Sequence, residues 1–177
     1  MCSSDLPDPY TLSDYTLNAD GLTSVSGDWT ISATGALSHS QNGNNETYTI
    51  DFTIIGDLTV DAGGAIDVDS RGYVPNVGPG YGGDNGSCYG GIGGDEGSDG
   101  VSCLTYGSIT APVNIGSGAQ NASGGGGAVK LTVTGTTALT GAISANGQAS
   151  NFNGGSGGSI YLTTARLTGV GTLRSEE

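Results

Sequence analysis

An internal repeat constrains the fold of this chain more than any other feature of its sequence. The segment GGAVKLTV at residues 126–133 recurs as GGSIYLTT at residues 157–164, 31 positions later. After each copy the chain passes through a Leu-Thr-Gly turn, at residues 139–141 and 167–169, into another short apolar step. Repeats of this length built from short strands are typical of solenoids, in which each unit buries its apolar face only against its neighbours.

Alternation of apolar and polar residues is the strand signal along the chain. In the segment YTIDFTI at residues 48–54 the apolar side chains alternate with Thr and Asp, which is the two-residue period of a half-buried strand. Strands this short, separated by Gly-containing turns, fit the sides of a coil. We therefore predict an all-β fold, specifically a right-handed parallel β-helix (a solenoid). We divide it into five partial coils at about residues 10–32, 33–54, 55–71, 128–147 and 159–173.

Two glycine-rich insertions interrupt the predicted coils. Residues 72–127 contain 19 glycines in 56 positions without a Gly-X-Y period, which excludes collagen. The shorter insertion, residues 148–158, leaves the coil from the equivalent place. We predict that both insertions project from one side of the coil, where they can lie on one another. Inside the longer one, residues 106–109 and 112–115 are candidates for a local strand pair.

The two ends of the chain look foreign to the rest. The peptides CSSDL, within residues 1–6, and RSEE, residues 174–177, are encoded by nucleotide strings that are reverse complements and match a sequencing-adapter stem. We interpret both ends as adapter-derived scars and exclude them from fold reasoning. We then expect residues 7–173 to be a single β-helix fragment of a longer, metagenomic reading frame. Its last coil should expose an open edge, where further β-helix repeats of the parent chain would follow.

Charge and composition narrow the classes of partner. The formal net charge is -13, and Lys and Arg together number 4. Too few cations are present to neutralise phosphates, so the sequence argues against nucleic-acid binding. No apolar run approaches the roughly 20 residues of a membrane span, so we predict no direct membrane insertion. Abundant Gly, Thr, Ser, Asn and Asp favour a β-rich extracellular or cell-surface protein.

Four stretches carry a resemblance to a known class of repeats. They are GDLTVDAGGAIDVDSRGY, YGSITAPVNIGSG, GGGGAVKLTVTGTTALTGAISANG and GGSGGSIYLTTARLTGVGTL. Together, over roughly residues 50–173, they resemble the Gly-rich β-helix repeats of very large bacterial secreted or cell-surface, adhesin-like proteins. The resemblance implies a stalk, adhesin-like or cell-envelope module, a class usually without an assigned activity. We accordingly expect a non-catalytic structural or adhesive segment, whose partners would be glycans or other cell-surface or matrix polymers.

A carbohydrate-active enzyme is the alternative interpretation. Asp67 and Asp69 lie two positions apart on the predicted outer face of one strand. β-Helix polysaccharide lyases and hydrolases use clustered outer-face carboxylates as general acid and base or to hold calcium. Such sites usually add a cation, and Arg71 is the one nearby in sequence. The competing interpretation is a solvated acidic face that discourages lateral aggregation.

Cys88 and Cys103 form the cysteine pair of the predicted natural segment. An even count in an apparently extracellular insertion favours a disulfide, worth roughly 3 kcal/mol for a loop of this size in the loop-closure model. Two free thiols, or half of a metal site, remain the alternatives. The sole histidine, His39, lies far away in sequence. We expect His39 and Trp29 to be structural residues of the early coils.

Calcium is the one metal that the sequence suggests. The stretch GGIGGD at residues 90–95 fits the first six positions of a calcium-binding nonapeptide. The match then fails, because Gly97 stands where a large apolar residue should enter the core. The candidate ligands are Asp84, Asp95 and Asp99, and their alternative role is to keep the insertion soluble.

Four tyrosines punctuate the longer insertion, namely Tyr73, Tyr81, Tyr89 and Tyr106. Aromatic rings on low-charge loops can stack on sugar rings, which would suit a carbohydrate-binding surface. The alternative is that these rings pack the insertion against the coil.

Overall fold

The described part of the chain is built entirely from β-strands and irregular segments. The computed structural model describes residues 8–21, 24–95, 100, 103–120, 123–150 and 153–176. Within these ranges it contains twelve strands and no helix, and therefore no helix that could span a membrane. The predicted all-β class is thus confirmed. The strands are β1 (Tyr10–Leu12), β2 (Thr16–Asn18), β3 (Ser24–Ser26), β4 (Trp29–Ile31), β5 (Ala36–Ser38), β6 (Ile50–Ile55), β7 (Leu58–Val60), β8 (Ala65–Asp67), β9 (Ala128–Leu139), β10 (Ala142–Ser144), β11 (Ser159–Thr168) and β12 (Thr172–Arg174).

The strands form two sheets in which every recorded pairing is parallel. The first sheet has the order β1-β4-β7-β9-β6-β3, with β11 added alongside β9. The second sheet has the order β12-β10-β8-β5-β2. Consecutive strands of the chain therefore do not pair with one another. Each strand pairs with strands from which it is separated in sequence by at least one other strand.

These pairings arrange the strands in five successive levels. Level one holds β1 and β2, level two β3 to β5, level three β6 to β8, level four β9 and β10, and level five β11 and β12. The predicted coils at residues 128–147 and 159–173 contain most of levels four and five. The boundaries predicted between residues 32 and 33 and between residues 54 and 55 are wrong. The first separates β4 from β5, which both belong to level two. The second separates β6 from β7, which pair with the first and second parts of the same strand, β9. The chain turns a corner at Gly56 without leaving the level.

The repeat that dominates the sequence is visible as strand register. Ser159 pairs with Ala128, and the offset of 31 continues to the pair Thr164 and Val133. A β-bulge then follows, because β9 has one more residue than β11 at this point, and Leu167 pairs with Thr137. The two Leu-Thr-Gly turns are consequently not equivalent positions, contrary to the sequence alignment.

Aliphatic side chains fill the space enclosed by the two sheets. One position of the second sheet shows this level by level: Leu37, Ile66 and Ile143 are at most 1% exposed and lie in direct register. Trp29 is buried in the first sheet beside Tyr10 and Phe52, with ring centroids 5.1 and 5.6 Å apart. Full burial of one such aliphatic side chain is worth about 1.5–3 kcal/mol. We call this set of levels the aliphatic stack.

The two ends of the aliphatic stack differ. At level one Leu12 is fully buried and Tyr10 is 8% exposed. At level five Leu167 and Leu173 are 50% and 47% exposed, although their strands pair in register with level four. Level five is therefore an open apolar end, as predicted for the last coil.

Several described segments of the two glycine-rich insertions are buried and packed against one another. Residues 115–119 and 123–127 are buried throughout. Backbone bonds join the segments: Gly72 N–H donates to Gly125 O at 2.6 Å, and Gly116 N–H donates to Gly126 O at 2.7 Å. The second insertion joins the array because Gly126 N–H donates to Ser156 O at 2.9 Å. We call residues 72–74, 115–119, 123–127 and 153–158 the glycine region.

Segments of the glycine region approach one another closely because glycine has no side chain. A Cβ atom built on Gly125 would come closer than 3.0 Å to the carbonyl oxygen of Gly116, and one on Gly158 would do the same to Gly127. Segments can approach this closely only where neither carries a side chain. The predicted strand pair of residues 106–109 and 112–115 does not form, since Tyr106 N–H instead donates to Tyr89 O at 2.9 Å.

Candidate functional site

The two acids predicted on the outer face lie together but differ in exposure and bonding, and Asp69 N–H donates to Asp67 Oδ1 at 2.9 Å. Asp67 is exposed in β8, whereas Asp69 lies two residues beyond the strand and is partly buried. Both lie with Arg71 around a small cavity of about 150 Å³ on the outside of the second sheet, together with Thr16, Ala36 and Ser38. Both carboxylate oxygens of Asp69 accept hydrogen bonds from Asn146, from its N–H at 2.7 Å and from its Nδ2 at 2.8 Å. Asp69 therefore holds level three to level four.

The same bonding recurs at the corner that follows the second sheet. Ser40 N–H donates to Asp20 Oδ1 at 2.9 Å, and Glu176 N–H donates to Asn146 Oδ1 at 3.1 Å. Each of these residues, like Asp69, stands two positions after a strand of the second sheet. Together they form a polar ladder that satisfies backbone N–H groups at the corner. We call it the corner ladder.

A second ladder of carboxylates runs along the corner between β6 and β7. Asp57 N–H donates to Asp28 Oδ1 at 2.8 Å, and Thr136 N–H donates to Asp57 Oδ1 at 2.6 Å. Each of these carboxylates accepts a hydrogen bond from a backbone N–H group of the next level. Asp commonly does this at turns, where backbone N–H groups lack a partner in the sheet. Several of the carboxylates that make this chain acidic are thus structural acceptors. Sequence reasoning missed this role, for which the recurring Gly-Asp pairs before β4 and β7 were the available signal.

His39 is fully buried where the glycine region returns to the aliphatic stack. Its Nδ1 lies 2.8 Å from Ser40 O, and its Nε2 accepts from Ala128 N–H, the first residue of β9, at 3.2 Å. These partners require a neutral ring with the proton on Nδ1. Burial lowers the pKa of His39 below its usual value. His39 therefore has the structural role predicted for it, because it links the residues after β5 to the start of β9.

Cys88 and Cys103 are joined as a disulfide, with Cα atoms 5.7 Å apart. Each half of the bridge leads into a tyrosine, Tyr89 directly and Tyr106 three residues on. The rings of these tyrosines meet edge to face, with centroids 4.8 Å apart. The bridge therefore fixes the base of an aromatic pair inside the longer insertion.

The other two candidate tyrosines are not part of this aromatic pair. Tyr81 is partly buried and its hydroxyl donates to Asn76 Oδ1 at 3.2 Å. Tyr73 is also partly buried, and this burial raises the pKa of its phenol. The backbone of Tyr73 takes part in the glycine region, because its oxygen accepts from Gly125 N–H at 2.9 Å.

The candidate calcium ligands are not gathered around one point. Asp84 and Asp95 are exposed, and Asp99 lies outside the described residues. The backbone oxygen of Asp84 accepts from Asn153 Nδ2 at 3.1 Å, which ties the two insertions together. Among the residues that the structure describes, no group of three or more His, Cys, Asp and Glu side chains is placed to hold a metal ion.

Two open clefts adjoin the aromatic pair. The first cleft, of about 360 Å³, lies between the two insertions and the end of level five, and Ser87, Ile92 and Ser156 line it. The second cleft, of about 410 Å³, is lined by Thr105, Ser108, Ile109 and Pro112. Tyr89 and Gly90 line both clefts. Sequence reasoning identified the tyrosines but missed the hydroxyl and apolar residues around them.

Comparison of the chain with protein-family models, with curated proteins and with solved structures found no match.

Proposed function

We propose that this chain is a right-handed parallel β-helix segment of a large extracellular bacterial protein, acting as a non-catalytic structural and adhesive module. One observation carries the proposal. The second sheet holds one strand from each of five levels, and Leu17, Leu37, Ile66, Ile143 and Leu173 follow one another in register. Such a column is the expected result of one chain winding repeatedly around a narrow axis.

The bonding of the polar residues supports a structural role. Asp28, Asp57 and Asp69 accept backbone N–H groups of neighbouring levels. Carboxylates engaged in this way would stiffen the corners of a coil. A stack of levels with ordered corners would serve as a rigid spacer, since each added level extends it by about 4.8 Å.

The adhesive part of the proposal rests on the longer insertion. Four of its apolar side chains are exposed: Ile92, Leu104, Ile109 and Val113 at 72%, 74%, 95% and 39%. Clusters of exposed apolar residues on soluble proteins commonly mark contact sites. Ile92 and Ile109 each line one of the two clefts, where cell-surface or matrix polymers would be contacted.

A carbohydrate-active enzyme is the second candidate, and a specific observation favours it. Asp67, Asp69 and Arg71 line one cavity, which brings both predicted carboxylates and the predicted cation together. The same geometry weakens the candidate, because Asn146 occupies both oxygens of Asp69. A general acid or base would need one of those oxygens to face the substrate.

A polysaccharide panel separates the two candidates. The purified chain would be incubated with neutral and uronic-acid polysaccharides, with release of reducing ends and unsaturated products followed over time. Retention of the chain on insoluble polymers or bacterial surfaces without product formation would support the adhesive module. Turnover that disappears in Asp67→Asn but persists in the surface control Asp51→Asn would instead establish the enzyme.

A further inference from the structure

Two adjoining clefts meet at one tyrosine in the longer insertion. Their volumes, about 360 and 410 Å³, fall within the range of about 300–1,000 Å³ that small-molecule sites occupy. Because Tyr89 and Gly90 line both clefts, a chain-like ligand could pass from one to the other without leaving the surface. The arrangement has the form of two consecutive subsites.

The tyrosine rings between the clefts are held in place before any ligand arrives. Tyr89 OH donates to Ser159 Oγ at 2.5 Å, and Ser159 Oγ donates in turn to Asn114 O at 2.6 Å. Tyr106 OH donates to Ile115 O at 2.6 Å and accepts from Ser117 Oγ at 2.9 Å. The hydroxyls thus point into the protein, while each ring lines a cleft. Rings fixed in this way lose little side-chain entropy on binding.

The lining chemistry selects the class of ligand. Thr105 and Ser108 offer hydroxyls, and Ile109 offers an apolar face that is 95% exposed. Among the described residues that line the two clefts, Glu176 is the one with a charge, and it belongs to the end segment interpreted above as adapter-derived. The chain also carries a net charge of -13, which repels polyanions. A neutral molecule that alternates apolar ring faces with hydroxyl groups matches this surface.

We propose that the insertion binds a neutral oligosaccharide, with successive sugar units in the two clefts on either side of Tyr89. This inference rests on the adhesive role proposed above and specifies its ligand. The Cys88–Cys103 bridge supports the site because it joins the two segments that carry Tyr89 and Tyr106.

Gly90 provides a direct test. A Cβ atom on Gly90 meets nothing within 4 Å, so a larger side chain there would enter the clefts without displacing the protein. Gly94 is the matched control, since it lies in the same insertion, has the same open surroundings and lines neither cleft. The oxidised wild-type chain, Gly90→Leu and Gly94→Leu would each be titrated calorimetrically with gluco-, xylo- and manno-oligosaccharides of one to six units. Oligogalacturonides of the same lengths would serve as the charged series.

The expected result is binding of at least one neutral series, with an affinity that rises with length and then reaches a plateau. Gly90→Leu should weaken that binding at least tenfold, and Gly94→Leu should change it less than twofold. Equal binding by Gly90→Leu, preference for the charged series, or no binding to any neutral series would overturn the proposal. Failure here would leave the polysaccharide-turnover result unaffected, so the ligand and the non-catalytic role are tested separately.

Discussion

The aliphatic stack and the glycine region bury backbone by opposite means. In the stack, side chains such as Leu37 and Ile66 fill the interior, and strands need only keep their register. In the glycine region, the carbonyl oxygen of Gly116 occupies the space that a Cβ atom of Gly125 would need. Buried side chains stabilise the stack, whereas the glycine region is stabilised by close backbone contacts that only residues without side chains allow. Substitutions that remove side-chain atoms should therefore destabilise the stack, and substitutions that add side-chain atoms should destabilise the glycine region.

The largest effect is expected from removing atoms inside the stack. Leu37→Ala deletes a side chain that is 1% exposed and should lower the free energy of unfolding by about 2–5 kcal/mol. Leu173 is the matched control, since it occupies the same position of the second sheet at level five but is 47% exposed. Leu173→Ala should cost less than about 1 kcal/mol because only part of that area is buried. Urea unfolding of both variants measures the difference, and equal losses would contradict the closed interior.

Adding a single methyl group to the glycine region is the reciprocal test. Gly125→Ala should lower the free energy of unfolding by about 1–3 kcal/mol through overpacking. Hydrogen exchange should rise first at residues 115–119 and 123–127, whose N–H groups would lose their partners. Gly43→Ala is the control, because a Cβ atom there meets nothing within 4 Å. A stability loss in Gly43→Ala equal to that in Gly125→Ala would point to a general glycine effect instead of close packing.

His39 joins the two regions and should make the junction sensitive to pH. Its pKa is lowered from the usual value of about 6.5, chiefly by burial, with Arg71 lowering it further and Ser40 O and Asp20 opposing the shift. As the pH falls below about 6.5, the unfolded chain takes up the proton first. The free energy of unfolding should then fall by at most about 1.4 kcal/mol for each pH unit. His39→Gln should flatten this slope between about pH 6.5 and pH 5 in urea titrations, and an unchanged slope would assign it to other groups.

The corner ladder should contribute the smallest effect. Asp69→Ala removes two acceptors for Asn146 at a partly exposed corner and should cost about 1 kcal/mol. Asp51→Ala is the control, because its contact with Lys130, at 3.2 Å, is an exposed ion pair worth about 0.2–1 kcal/mol. The Asp69 variant should keep its loss in high salt, whereas the Asp51 variant should not. Identical salt dependence would place both acids in the same surface role.

Sequence periodicity predicted the stack because its levels repeat a physical pattern. Ala128 and Ser159 could be aligned from the sequence, since each begins a long alternating strand. The Leu139 and Leu167 alignment failed because these residues are 28 positions apart (167 − 139), whereas β11 pairs with β9 at an offset of 31 before the bulge near Gly135 and of 30 after it. The glycine region was unpredictable for another reason. Buried glycines have no apolar period, and the bond from Gly72 to Gly125 is made by backbone atoms that every residue has.

The candidate site was predictable only in part. Tyr89 and Tyr106 stood out as aromatics beside cysteines, but their partners Ser159 and Ile115 come from segments that are distant or unremarkable in sequence. Asp69 had the residue type of a catalytic acid, whereas its partner Asn146 lies 77 residues away. Such partners become neighbours only because the fold stacks their corners on one another, and the order of stacking cannot be read from local sequence.

Chain length between equivalent strands varies widely while their pairing does not. Tyr10 and Trp29 are 19 residues apart, Trp29 and Leu58 are 29 apart, and Leu58 and Thr137 are 79 apart, yet all three pairs lie side by side. The differences in length arise mainly at the corner after the second sheet, where the chain accommodates inserted segments of different size. Segments of very different length leave and return there while the neighbouring strands stay paired, so the spacing of the levels does not limit the length of what is attached to them.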